Sequence, residues 1–169
     1  MADRCACPCC RYLTLQDRGG FEICEVCFWE DDGQDDHDAD VVRGGPNGIL
    51  SLTVAREAFA EIGACEERFQ SEVRPPRPEE IPKQVLRDAG WDGATVEGAA
   101  GWLTQAVKAP GLPEGLAIEP AVLVALGDQG LVWAVNHPGW WMGTVDRGER
   151  SIRCWGRYGC DLAKAVAAL

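Results

Sequence analysis

The chain predicts an α+β protein in two units. The first is a small cysteine-rich β-hairpin unit with one helix. The second is an α+β domain with an antiparallel β-meander and flanking helices. Three observations lead there. Two close cysteine pairs bracket a short strand–turn–strand pattern near the start. A run with four prolines in ten residues, Val73 to Pro82, interrupts the chain before its midpoint. Beyond it, short apolar runs alternate with glycine turns, the signature of strands in a meander. The expected division is 1–72 for the first unit, 73–83 for a semi-rigid extended linker and 84–169 for the second unit. At 169 residues, with a hydrophobic fraction of 46%, the chain can bury a core in either arrangement.

The cysteine pairs are Cys7-Pro8-Cys9-Cys10 and Cys24-Glu25-Val26-Cys27, read as C-x2-C, thirteen residues, then C-x2-C. Four thiolates at that spacing supply the tetrahedral sulfur set that Zn²⁺ favours. Cys7, Cys10, Cys24 and Cys27 are therefore the candidate ligands and Zn²⁺ the candidate cofactor. Tyr12 to Leu15 reads as a strand, Gln16 to Gly20 as a glycine turn and Phe21 to Ile23 as the returning strand, a hairpin that brings the second pair beside the first. Pro8 pre-sets the turn after Cys7. Pairing Cys7 with Cys10 rests on matching the second pair's spacing, which leaves Cys5 and Cys9 as spare thiols and leaves ligand exchange among them open. No histidine or carboxylate completes an open coordination position, so the expected site is a closed structural one in a zinc-ribbon-like unit. A thioredoxin-like redox role needs a βαβ setting, which does not surround these pairs.

The formal net charge of -11 is uneven. Residues 1–82 carry 18 acidic against 8 basic residues, and residues 83–169 carry 9 against 8. Such a front half repels a phosphate backbone, which disfavours general nucleic-acid binding, and it fits a basic protein partner better. Seven carboxylates fall within Glu30 to Asp40. Asp36, Asp38 and Asp40 copy the opening of a calcium loop, but Val41 replaces its glycine and Asn47 its bidentate glutamate. The segment reads as an acidic loop facing solvent or a partner. Ser51 then predicts a helix N-cap, with Leu52, Ala55, Phe59 and Ile62 on one face, Arg56, Glu57 and Glu61 turned away, and Gly63 at the end.

Taken together, CPCC, YLTL, EICEVCFWEDDG, RGGPNG, SLTVAREAF and GAC resemble the bacterial cysteine-rich CPCC family over roughly residues 5–80. The resemblance implies a zinc-ribbon-like metal-binding domain with no established activity. The cysteines that match are Cys7, Cys9, Cys10, Cys24 and Cys27. The family usually has glycine where Arg11 stands and proline where Glu25 stands. Glycine after a knuckle cysteine relieves a left-handed turn, so Arg11 is expected to strain the first knuckle.

In the second unit a helix is expected around Gln84 to Ala89. Another is expected over Thr95 to Lys108, with Val96, Ala99, Ala100, Leu103 and Val107 on one side. Strands follow at Ala121 to Leu126, Leu131 to Val135, Trp140 to Val145 and Ser151 to Arg157, then a short helix from Asp161 to Ala168. His137, one of two histidines, could pair with Cys154 or Cys160 as base and nucleophile, and a turn histidine with two core thiols is the plainer reading. Of Trp133, Trp140, Trp141 and Trp155, alternation cannot bury all equally. Arg153, Trp155 and Arg157 share one face of the last strand, an aromatic and basic strip suited to a protein or a single-stranded nucleic acid.

Met1-Ala2-Asp3-Arg4 leads into cysteines without an apolar run, and no apolar stretch is long enough to cross a membrane. The expectation is a cytoplasmic protein whose thiolates keep metals rather than form disulfides. The function expected is that of a zinc-binding protein-interaction or immunity-type module without catalysis, neutralising a basic partner. The alternatives are an enzyme centred on the second unit and nucleic-acid binding through Arg153, Trp155 and Arg157.

Overall fold

A computed structural model describes residues 4–99 and 118–168. The architecture is α+β, a small cysteine cluster followed by a five-stranded antiparallel sheet with helices. The chain separates into two compact units, Met1–Arg74 and Pro75–Leu169.

Two short hairpins, one around each cysteine pair, form the start of the first unit. Strand β1 (Cys5–Ala6) pairs antiparallel with β2 (Leu13–Leu15), so the turn between them is the Cys7–Cys10 stretch itself. The second hairpin repeats the device. The Phe21 N–H donates to the Asp31 carbonyl at 2.9 Å, the Asp31 N–H to the Glu22 carbonyl at 3.0 Å, and Ile23 bridges Glu30 around Cys24–Cys27. This corrects the single hairpin expected from Tyr12–Leu15 and Phe21–Ile23. Each C-x-x-C is a tight turn in its own right, so each closes its own ladder locally instead of waiting for a partner across the glycine loop.

Helix α1 (Leu52–Ile62) follows as the sequence indicates. The Val54 N–H donates to the Ser51 hydroxyl at 3.3 Å, satisfying one of the free donors of the first turn. Gly63 closes the helix at φ 79°, a left-handed conformation that costs glycine little. Leu52, Ala55 and Phe59 form the buried face. Phe59 meets the edge of Tyr12 at 6.2 Å, and Arg56 Nε donates to the Pro8 carbonyl at 2.9 Å, which ties the helix to the first cysteine turn.

In the second unit, α2 (Lys83–Asp88) precedes β3 (Thr95–Gly98), β4 (Pro120–Leu126), β5 (Gln129–Ala134), β6 (Gly139–Asp146), β7 (Ser151–Arg157) and α3 (Leu162–Ala167). The sheet order is β3-β4-β5-β6-β7, antiparallel throughout. The helix expected over Thr95 to Lys108 is corrected at its start, because Thr95–Gly98 is a strand paired with Val122–Ala125. Thr95 and Val96 are β-branched and Gly98 weakens a helix, so pairing with a ready strand prevails over a loose helical period. The remainder of that helix, with Ala100, Leu103 and Val107, lies outside the described residues. A 3-10 turn spans Pro78–Glu80, and Glu80 and Ile81 are buried.

Both faces of the sheet carry buried side chains. Leu123, Val132, Trp141, Val145, Ile152 and Cys154 share one apolar cluster. Trp133 and Trp140 pair directly across β5 and β6, packed edge to face at 5.4 Å. Neighbouring Trp140 and Trp141 are therefore both buried, and of the four tryptophans noted only Trp155 is exposed, at 44%. Gly130 and Gly143 face each other across the same strands, where a Cβ on Gly143 would lie 2.6 Å from the Arg153 carbonyl oxygen. Among the described residues, no helix is long and apolar enough to cross a membrane.

Candidate metal centre

The two cysteine turns have the same hydrogen-bond pattern. In the first, the Cys7 N–H donates to the Tyr12 carbonyl at 2.9 Å and the Arg11 N–H to the Cys7 carbonyl at 2.9 Å. In the second, the Cys24 N–H donates to the Trp29 carbonyl at 2.9 Å and the Phe28 N–H to the Cys24 carbonyl at 2.8 Å. The residue after each second cysteine is left-handed, Arg11 at φ 68° and Phe28 at φ 69°. A side chain there costs roughly 1–2 kcal/mol, so the strain expected at Arg11 is present and Phe28 shares it. Phe28 has compensating contacts, being stacked on Phe69 at 4.2 Å. Arg11 is paired with the Asp36 carboxylate.

Facing each other, the turns bring four sulfurs together. Cys7 Sγ lies 3.6 Å from Cys27 Sγ, and Cys10 Sγ lies 3.6 Å from Cys24 Sγ. All four lie within 4.8 Å of one another and are buried. A tetrahedron with metal–sulfur bonds of about 2.3 Å has sulfur–sulfur edges of about 3.8 Å, so the set is already close to the size of a tetrathiolate site. Such a set could hold one metal ion. The thiols are free, and 3.6 Å is far beyond a sulfur–sulfur bond.

The electrostatics suit a cation. Burial pushes the Cys7, Cys10 and Cys27 thiols well up. Burial acts the same way on Cys24, but hydrogen bonds from Cys10, Cys27, Cys7 and Thr14 outweigh it and hold that sulfur well below the usual thiol range. Thr14 Oγ1 lies 3.1 Å from Cys24 Sγ, a polar support outside the ligand set of the kind that orients metal ligands. The spare thiols differ. Cys5 is half-buried and directs its thiol to the Gln16 carbonyl at 3.6 Å, whereas Cys9 is buried beside the cluster. Cys65, which the spacing argument did not single out, is buried as well.

The acidic segment is held by arginines. Asp31 is wholly buried and accepts from Arg18 Nε at 2.9 Å, from the Gly19 N–H at 2.7 Å and from the Gly33 N–H at 3.2 Å. Arg18 also pairs with Asp35 at 2.9 Å, Arg56 with Asp36 at 2.7 Å, and Arg43 with Asp38. The Arg18 hydrogen bond lowers the Asp35 carboxyl, and the Arg11 and Arg56 hydrogen bonds lower that of Asp36. Guanidinium groups thus occupy Asp36 and Asp38, two positions of the partial calcium motif, and the Thr53 hydroxyl donates to the third, Asp40, at 2.6 Å. Sequence reasoning missed this cradle. Its signal was composition, since all eight basic residues of 1–82 are arginines, the side chain built for forked pairing with carboxylates.

The other candidate groups lie in the second unit. The His137 ring meets Trp141 edge-on at 6.3 Å. Burial raises Cys154 to about 12 and Cys160 to about 11, leaving both as protonated thiols at neutral pH. Arg153, Trp155 and Arg157 are exposed on the edge strand β7, with Trp155 at a bulge where β6 advances one residue and β7 two. Arg157 Nε donates to the Pro138 carbonyl at 2.9 Å.

No curated protein and no solved structure matches the chain. The four-cysteine cluster, both cysteine turns, the arginine-held loop and helix α1 all fall within residues 5–80, and that stretch matches the model of the family described as Cysteine-rich CPCC.

Proposed function

We propose that Cys7, Cys10, Cys24 and Cys27 hold one Zn²⁺ as a closed structural centre, and that the unit it stabilises is a protein-interaction module without catalysis. The observation that supports zinc most directly is the all-sulfur set at near-tetrahedral spacing, which leaves no position for a substrate. Bound zinc would supply cross-linking and charge neutralisation, joining two turns that are each complete locally. The abundance of free buried thiols fits a reducing cytoplasm. The partner that fits is a basic protein. Seven carboxylates in Glu30 to Asp40 face four arginines, so the segment stays negative while its ion pairs fix its shape. An immunity-type role, neutralising a basic toxin, is one form this would take.

Elemental analysis of the purified protein should find one zinc per chain, and a folded, metal-free protein would overturn the zinc reading. Affinity capture from the native host at low salt should recover a basic protein that is lost at high salt. Salt-indifferent capture would count against the acidic surface.

The exposure of Trp155 between two exposed arginines favours a second reading, binding of single-stranded nucleic acid at β7. Oligonucleotide binding abolished by Trp155→Ala would support it, and no binding at low salt would remove it.

A further inference from the structure

One carboxylate of the acidic segment differs from the rest. Asp31, Asp35, Asp36, Asp38 and Asp40 each accept from an arginine or a hydroxyl, and Asp32 accepts from the Gln34 N–H at 3.0 Å. Glu30 is half-buried, and among the described residues its carboxylate meets no hydrogen-bond donor and no cation. Its main chain is clasped by the Asn47 side-chain amide at 3.2 and 2.9 Å, so the residue is fixed in place while its charge is left open. The same Glu30 lines a cavity of about 40 Å³ whose other walls include Ile23, Phe28, Leu50 and Phe69. That space holds about three waters, the size of a branched aliphatic tip. Ile23 bridges Glu30 directly, so an apolar wall and an open charge stand side by side. Phe28 and Phe69 are stacked at 4.2 Å and make the facing wall firm. Arg68, the one cation in the lining, is already forked onto Glu66 at 2.9 and 3.0 Å and lies over the Phe69 ring. Aliphatic surface continues outside the cavity. Ile23 is 44% exposed, and Ile49, next to Leu50 in the chain, is 90% exposed.

We propose that this cavity is where a basic protein partner docks, placing a branched aliphatic side chain between Ile23, Phe28 and Phe69 and an adjoining lysine or arginine on Glu30. This rests on the basic-partner reading above and narrows it from an acidic field to one surface. Charge complementarity selects the occupant. The wall offers a carboxylate without a cation, in a stretch of chain that carries 18 acidic residues against 8 basic ones over 1–82. A half-buried charge gains more from a partner than a solvated one, because docking removes the remaining water around the pair. The arginine-held stretch that follows Glu30 in the chain steers the approach, while Glu30 and the apolar walls set the register.

The test is selection of short random peptides displayed on phage against the zinc-loaded full chain at low salt, followed by fluorescence-anisotropy titration of the enriched peptide. Enriched sequences should carry leucine, isoleucine or valine next to lysine or arginine. Glu30→Gln and Ile23→Asp should each weaken that peptide about tenfold at unchanged zinc content, which shows that they fold. Should Ile23→Asp lose zinc, the isosteric Glu30→Gln decides alone. Glu57→Gln, which removes the same charge from the outward face of α1, should bind as the wild type does. Basic peptides that bind Glu30→Gln as tightly as the wild type, or that Glu57→Gln weakens as much, would overturn the docking cavity and leave the basic partner standing. No enrichment, or enrichment without basic residues, would instead overturn the reading on which it rests.

Discussion

The first unit buries six cysteines, whereas the second buries four tryptophans and the aliphatic residues of a five-stranded sheet. Among the described residues of the first, regular pairing is limited to a two-residue and a three-residue strand, with α1 the one α-helix. In the second, the four strands β4–β7 are each six to eight residues long. Where ladders are that short they do little to hold the turns to one another, and the proposed ion bonded to both would do so. Where ladders are long, cross-strand packing suffices. The contrast fits cysteine as the proposed ligand in one unit and as a small core residue in the other, where Cys154 and Cys160 are buried.

Removing one sulfur should separate the units most sharply. Cys24→Ser is expected to lose the metal and unfold residues 4–74, because structural zinc is worth on the order of 10 kcal/mol to small domains. Hydrogen exchange should show β4–β7 still protected, and protection persisting around Cys7–Cys27 would break the comparison. Trp140→Ala is the reciprocal change. Losing a fully buried indole and its contact with Trp133 should cost about 4 kcal/mol in the second unit while zinc content stays at the wild-type level.

Arg18→Ala tests the ionic part of the first unit. It strands the buried Asp31 carboxylate with only its two backbone donors and should cost about 3 kcal/mol, read by denaturant titration of the zinc-loaded protein. Acid probes the outer pairs. Asp35 and Asp36 have folded values below their unfolded ones. Their contribution is therefore complete above about pH 4 and fades as the pH falls through the lower, folded values. Amide shifts of residues 35–38 should move in that window, by a modest amount since both side chains are partly exposed. The smallest effect is expected from Arg11→Gly. Relief of the left-handed strain should exceed the loss of an exposed ion pair and raise stability by up to about 1 kcal/mol.

The clustering of the four cysteines was legible because their spacing is local, and so was α1, whose two caps are single residues with single jobs. The β4–β5 hairpin was legible for the same reason, with Gly127 at φ 62° in its turn. What the sequence concealed was choice of partner. Leu13–Leu15 and Phe21–Ile23 each read as a strand, yet nothing in their own residues says that one pairs with Cys5–Ala6 and the other with the segment after Cys27. Thr95–Gly98 is a strand because β4 offers it a register, Thr95 opposite Ala125 and Gly98 opposite Val122, which is not written in the four residues themselves. The arginine cradle was concealed likewise, since a carboxylate run looks solvated until the guanidinium groups of Arg11, Arg18, Arg43 and Arg56 are brought to it from the rest of the unit.

The use of arginine for every cation in the first unit has a practical consequence. Residues 1–82 contain no lysine, so that stretch offers no side-chain amine. Side-chain acylation, ubiquitin attachment to lysine and lysine-directed cross-linkers would mark the second unit, at Lys83 and Lys164 for example, and not the side chains of the cysteine-rich half. A partner docked on the acidic segment would find no lysine there for an amine-directed cross-linker to join. Carbodiimide coupling of the carboxylates to the partner's own lysines is the chemistry that would record it.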